Sequence, residues 1–190
     1  MNPENHQTDE EIVIEVQNGG VDSFGVLVDR YEQKLLRYAK KFLLEREDAK
    51  DLVQNVFIKS YSNIQGFNPS RKFSPWIYRI AHNEFINAIK SRKNKETVSI
   101  FDFDILFPHL ASKESAEEEL NREDVKKTIG QSLDKLNVKY REPIVLYYFE
   151  DLDYKEIADI LQIPVSTVGV RLKRGKTLLK KIFEESDKKL

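Results

Sequence analysis

From Phe24 to Phe42 the apolar residues of this chain recur three and four positions apart: Phe24, Leu27, Val28, Tyr31, Leu35, Tyr38, Ala39 and Phe42. That spacing lines one side of an α-helix and does not suit a strand, whose faces alternate at every residue. The rhythm returns in Leu52, Val53, Val56, Phe57, Tyr61 and Ile64. It returns again in Trp76, Ile77, Ile80, Ala81, Phe85 and Ile89, after a Ser74-Pro75 step that suits an N-cap and a first helical residue. No alternating pattern of comparable length occurs, so the sequence predicts an all-α fold.

The rhythm breaks between residue 93 and about residue 122, where Pro108 and the run Glu117-Glu118-Glu119 fall. This stretch predicts a linker, with a short docked piece at Ile100 to Leu110. Helical periodicity resumes at Val125 to Leu136 and Val138 to Phe149, followed by two short helices. Pro143 falls inside the second of these stretches, either in its first turn or at a kink. The chain therefore divides into an N-terminal extension with a first helix (1–23), a helical domain (24–95), an acidic linker (96–122) and a second small helical domain (123–190).

Charge follows the same division. Residues 1–95 carry 15 basic and 13 acidic side chains, residues 96–122 carry 2 and 7, and residues 123–190 carry 14 and 12. The overall net charge of −1 hides a local stripe, because Arg171 to Lys181 holds six basic groups and no acidic one. A stripe of that kind matters more for nucleic acid than the whole-chain sum. There is no cysteine, which excludes disulfides and thiolate metal sites and points to a reducing compartment. No apolar run approaches the roughly 18 residues of a membrane span. The polar start, Met1 to Glu11, is not a signal peptide. A cytoplasmic protein without membrane insertion is expected.

The basic stripe belongs to a recognisable local pattern. Asp153 and Glu156 have the spacing of a capping box, and Ile157, Ala158, Ile160 and Leu161 follow as a short apolar face. Gln162-Ile163-Pro164 ends that helix, because the residue before proline is pushed out of the α region. Ser166 and Thr167 suit the start of another, with Val168, Leu172, Leu178, Leu179 and Ile182 as its buried side. Two short helices joined by a tight turn, the second one basic, form a helix-turn-helix. Ser166 and Thr167 at its start, with Arg171, Lys173, Arg174 and Lys176 beyond, are suited to phosphates and base edges.

Leu136 to Glu150, Tyr154-Lys155-Glu156-Ile157-Ala158 and Ile163-Pro164-Val165-Ser166-Thr167-Val168 together resemble region 4 of bacterial RNA polymerase sigma factors, most closely the extracytoplasmic-function (ECF) group. Asp48 to Phe57 resembles region 2.2 of the same family, and Phe73 to Asn83 resembles regions 2.3 to 2.4. The resemblance covers about residues 24–95 and 123–182. It implies a region 2 helical bundle that grips core RNA polymerase and opens the −10 promoter element. It also implies a region 4 helix-turn-helix that reads the −35 element, and commonly an anti-sigma factor as a further partner. By resemblance the polymerase contacts are Asp48, Asp51, Leu52, Gln54, Asn55 and Phe57. The −10 contacts are Phe67, Asn68, Arg71, Lys72, Trp76, Tyr78, Arg79 and Asn83, with the loop at 66–72 receiving a flipped base. The −35 contacts are Ser166, Thr167, Arg171, Lys173, Arg174 and Lys176. The chain departs from the family pattern at Asn55, where Glu is common. It departs again at Gln162, Gly169 and Val170, where Gly, Lys and Ser are usual.

Two other functions are compatible with parts of this pattern. A helix-turn-helix regulator would bind duplex DNA alone, but it has no need of a melting loop. A nucleic-acid enzyme would need a metal or acid–base cluster, and His6, His82 and His109 have no ligand spacing. No Gly-rich phosphate loop occurs. No cofactor or metal is expected.

Overall fold

The computed structural model describes residues 7–43, 49–93 and 133–187. The predicted linker and most of the Val125 to Leu136 stretch lie outside the described residues. Every regular element among the described residues is helical: α1 (Asp9–Gln17), α2 (Phe24–Leu43), α3 (Ala49–Asn63), α4 (Phe73–Lys93), α5 (Val138–Tyr148), α6 (Tyr154–Leu161) and α7 (Val165–Asp187).

The apolar spacing of α2 sends Leu27, Tyr31, Leu35, Tyr38 and Phe42 inward. They meet Val53 and Val56 from α3 and Phe73, Ile77, Ala81 and Phe85 from α4, all buried. Rings dominate this core. Tyr38 lies 5.0 Å from Phe85 and stacks on Phe42 at 5.6 Å, and Tyr31 meets Phe73 edge-on at 5.5 Å. Each such pair contributes about 0.5–1.5 kcal/mol beyond its burial.

In the second half, α5, α6 and α7 enclose Ile144, Val145, Leu146, Ile157, Ile160, Leu161, Val168 and Leu172. The Asp153 capping box forms as the sequence predicts. Asp153 Oδ1 accepts from the Lys155 and Glu156 N–H groups at 2.8 Å, and Glu156 Oε2 accepts from Asp153 N–H at 2.9 Å.

Four local expectations change. Helix α4 starts at Phe73, ahead of the predicted Ser74 cap, because a carboxylate from another helix caps it: Phe73 N–H donates to Glu10 Oε1 at 2.7 Å. Pro143 lies beyond the first turn of α5, inside the helix, where its ring supplies no N–H. The last helix is long rather than short, running 23 residues. No Gly-Pro stop signal interrupts it, and Gly175 is accommodated in its middle. Leu178, expected on the buried side of that helix, is 39 % exposed.

The two halves pack directly on each other, α2 against α5 and α4 against α6. Two carboxylates of the second half carry the seam. Glu142 of α5 accepts a hydrogen bond from the buried Tyr38 hydroxyl and faces His82 Nδ1 at 2.6 Å. Glu150, its side chain fully buried, accepts from Arg37 Nε and Nη2 and from the Tyr78 hydroxyl, each at 2.8 Å. Burial pushes the Glu150 carboxyl up, against the opposing pull of Arg37 and Tyr78. Burial likewise pushes the Tyr38 and Tyr78 hydroxyls up, and both stay protonated donors. At the edge of the seam, Lys41 Nζ lies 4.0 Å from the centre of the Phe149 ring.

Candidate nucleic-acid interface

The residues expected to meet nucleic acid lie in three places: the loop before α4, the exposed side of α4, and the outward face of α7.

A short 3-10 turn, Ile64–Gly66, leads from α3 into the loop. The sequence marks the loop residues but not what holds them. Helix α1 does this at both ends. Gln17 Nε2 donates to the carbonyl of Ile64 at 2.7 Å and to that of Phe67 at 2.9 Å. Glu10 caps the helix that follows, as described above. Both contacts join residues 47 or more positions apart, so no local pattern betrays them. Gln17→Ala is expected to cost about 1–2 kcal/mol of local stability by leaving two carbonyls under-satisfied. Amide hydrogen exchange should then rise across residues 64–72 and stay unchanged in α7. Unchanged exchange in the loop would show that Gln17 does not clamp it.

Within the loop, Asn68 Oδ1 accepts from Ser70 N–H at 2.9 Å, a local Asx turn. Asn68, Arg71 and Lys72 are exposed. Phe67 is buried, 5.0 Å from Trp76 and 5.8 Å from Phe73. It therefore belongs to the aromatic wall beneath the loop rather than to its open surface. Trp76 is half-buried in the same cluster. Arg79 and Asn83 follow it at spacings of three and four along α4, half-buried and exposed respectively. Trp76, Arg79 and Asn83 thus share one face. Tyr78 does not join them. It is buried, and its hydroxyl is held by Glu150, so in this arrangement it is a seam residue. Lys72, although exposed, also reaches the second half, with Nζ 2.8 Å from Glu156 Oε1. The lysine end of that pair is well exposed and the Glu156 end half-buried, so the pair is weakly stabilising.

On α7 the buried side is formed by Val168, Leu172, Gly175 and Leu179. The opposite side presents Ser166, Val170, Lys173, Arg174 and Thr177, all exposed. Lys176 is exposed to one flank, and Thr167 and Arg171 are half-buried on the other. The turn before the helix is closed by Gln162 in a left-handed conformation, φ 54° and ψ 45°. This conformation explains why glycine suits the position, since a side chain there is strained. Gln162 Nε2 donates to the Asp159 carbonyl at 2.6 Å. Gly169 lies against the Tyr154 ring.

A separate groove of about 600 Å³ opens between α2 and α3, lined by Val28, Glu32, Leu36, Lys50, Val53, Gln54, Phe57 and Ile58. It brings together two of the residues expected to meet polymerase, Gln54 and Phe57. Asp51 and Asn55 are exposed nearby on α3 and Leu52 is half-buried. Asp48 lies outside the described residues. Ile58 at 63 % exposure and the α2 side of the groove were not evident from the periodicity.

Residues 27–95 match the sigma-70 region 2 family and residues 126–179 match sigma-70 region 4. The ECF RNA polymerase sigma factor SigW of Bacillus subtilis is 36% identical over 172 residues, covering 88% of this chain and 92% of SigW. The chain belongs to the ECF group of sigma-70 factors. The RNA polymerase sigma-H factor of Pseudomonas aeruginosa is 30% identical, covering 94% of this chain and 95% of its own. Among solved structures, CnrH in complex with the cytosolic domain of CnrY superposes with a TM-score of 0.70 at 23% identity, covering 94% of this chain and 99% of that one. The sigma factor RpoE of Bartonella quintana, in complex with the anti-sigma factor NepR, superposes with a TM-score of 0.62 at 23% identity, covering 85% and 96%. At that identity the structures establish that the sigma fold is shared. No helix among the described residues is long and apolar enough to cross a membrane.

Proposed function

We propose that this sigma factor joins core RNA polymerase as a dissociable, non-catalytic subunit in the cytoplasm and directs it to specific promoters. Residues 24–95 act as region 2 and residues 123–190 as region 4, joined by the acidic linker 96–122. Gln54, Phe57 and the groove between α2 and α3 engage the polymerase, with Asp48, Asp51, Leu52 and Asn55 beside them. The loop at 66–72 and the Trp76, Arg79 and Asn83 face take the −10 element. An aromatic wall beside exposed cations provides stacking for an extruded base and charge for its backbone. Ser166, Lys173 and Arg174 on the outward face of α7, flanked by Thr167, Arg171 and Lys176, take the −35 element in the major groove. An anti-sigma factor is the further partner, as NepR is for the related RpoE.

The observation that best supports this reading is the presence, in one chain, of both a clamped loop backed by aromatics and a basic recognition helix. A regulator that only binds duplex DNA uses the second and leaves the first without a task. Purified chain added to bacterial core polymerase is expected to yield run-off transcripts from a discrete set of fragments of its source genome. Core polymerase alone should yield none of them. Specific DNA binding without any polymerase-dependent initiation would replace this reading with the regulator.

A further inference from the structure

Val170 lies at the centre of the outward face of α7. Its neighbours one turn away on that face are Ser166, Lys173 and Arg174, and Thr177 lies one turn further on. All of these are exposed hydrogen-bonding groups or cations. Val170 itself is 48 % exposed, an apolar side chain in a polar, charged setting. The residue beside it, Gly169, adds no side chain, and a Cβ there would meet the Tyr154 ring at 3.6 Å. Among the described residues, about half of the Val170 surface is left open.

An isopropyl group in that position offers no hydrogen bond to a base edge. The floor of the major groove presents one apolar group, the C5-methyl of thymine. Cytosine, guanine and adenine present only donors, acceptors and ring edges there. We infer that Val170 is a specificity-determining residue that packs on a thymine methyl in the upstream promoter element. This inference rests on the reading of α7 as the −35 recognition helix and adds the base it selects. Ser166, Lys173 and Arg174 then supply hydrogen bonds and charge around that contact, and discrimination at one base pair falls to dispersion and the exclusion of water.

The test removes the methyl and nothing else. The full chain, assembled with core RNA polymerase, selects from a randomised duplex library synthesised with either dTTP or dUTP. With dTTP, one upstream position should be enriched in thymine. With dUTP, enrichment at that position should fall about threefold to fivefold, the effect of burying a single methyl group, and the other positions should hold. A Val170→Ser holoenzyme should give the same upstream element from both libraries. Two results would overturn the assignment: equal enrichment from both libraries with the unaltered chain, or methyl dependence that survives in V170S. If neither library yields an upstream element, the promoter-reading function itself fails, and this assignment with it. An upstream element that is enriched but indifferent to the methyl removes only Val170.

Discussion

Replacing Glu142 with alanine is expected to cost about 2–4 kcal/mol of the free energy that holds the two halves of the chain together. The Tyr38 hydroxyl is fully buried, and Glu142 is the acceptor it donates to. Removing the carboxylate leaves that donor without its partner away from water, takes away the group facing His82, and opens a void where the side chain stood. Glu142→Gln keeps an acceptor in place and should lose only about 1 kcal/mol. Because the chain has no cysteine, dyes can be placed cleanly through Ser62→Cys in the first half and Lys180→Cys in the second. In the Glu142→Ala background, energy transfer between them should fall. The unaltered chain is expected to unfold in urea in one transition, which should separate into two in this background as each half unfolds on its own. Unchanged transfer and one coincident transition would show that Glu142 does not secure the seam.

The second large effect concerns two glycines six residues apart in α7 that respond in opposite directions. A Cβ added at Gly175 would lie 2.6 Å from Ile144 Cδ1 and 3.4 Å from the Tyr140 carbonyl. Ile144 is fully buried and has little room to withdraw. Gly175→Val is therefore expected to destabilise the second half by about 1–3 kcal/mol through overpacking of α7 on α5. A Cβ at Gly169 meets only Tyr154 Cε2 at 3.6 Å, an ordinary contact. There the helix propensity of alanine dominates, and Gly169→Ala should stabilise by about 0.5–1 kcal/mol. Urea midpoints at constant slope measure both. A Gly175→Val chain as stable as the unaltered protein would mean that α5 and α7 do not approach closely at that point.

These glycines mark where the sequence was and was not legible. The helices of the first half, the capping box at Asp153 and the turn before α7 follow from signals a few residues long. They are readable because a helix is specified by its own periodicity and its own ends. Gly169 and Gly175 look alike in sequence, and only the neighbouring helix separates an open glycine from an obligatory one. Gln17, Glu10, Glu142 and Glu150 resemble ordinary surface residues of amphipathic helices. Their partners lie dozens of positions away, and no local pattern encodes which helix faces meet. Phe67 and Tyr78 show the same limit. Both were expected among the −10 contacts; Phe67 is buried by packing on Phe73 and Trp76, and Tyr78 by partners outside the motif, Tyr31, Tyr38 and Glu150. Ser166, Lys173 and Arg174 emerge on one face because helical spacing alone puts them there.

The seam between the halves has a thermodynamic consequence for everything the chain binds. A partner that requires the halves apart meets a minority form, and its apparent affinity falls by the fraction of molecules already open. Each 1.4 kcal/mol of docking free energy weakens such a partner tenfold. A partner that grips the docked form binds with nearly its full intrinsic affinity, so the preference between the two kinds of partner shifts by that factor. Arg37, Tyr38, His82, Glu142 and Glu150 thereby act as a common set point. Substitutions there would raise or lower the occupancy of every competing complex at once, without altering a single atom that touches DNA.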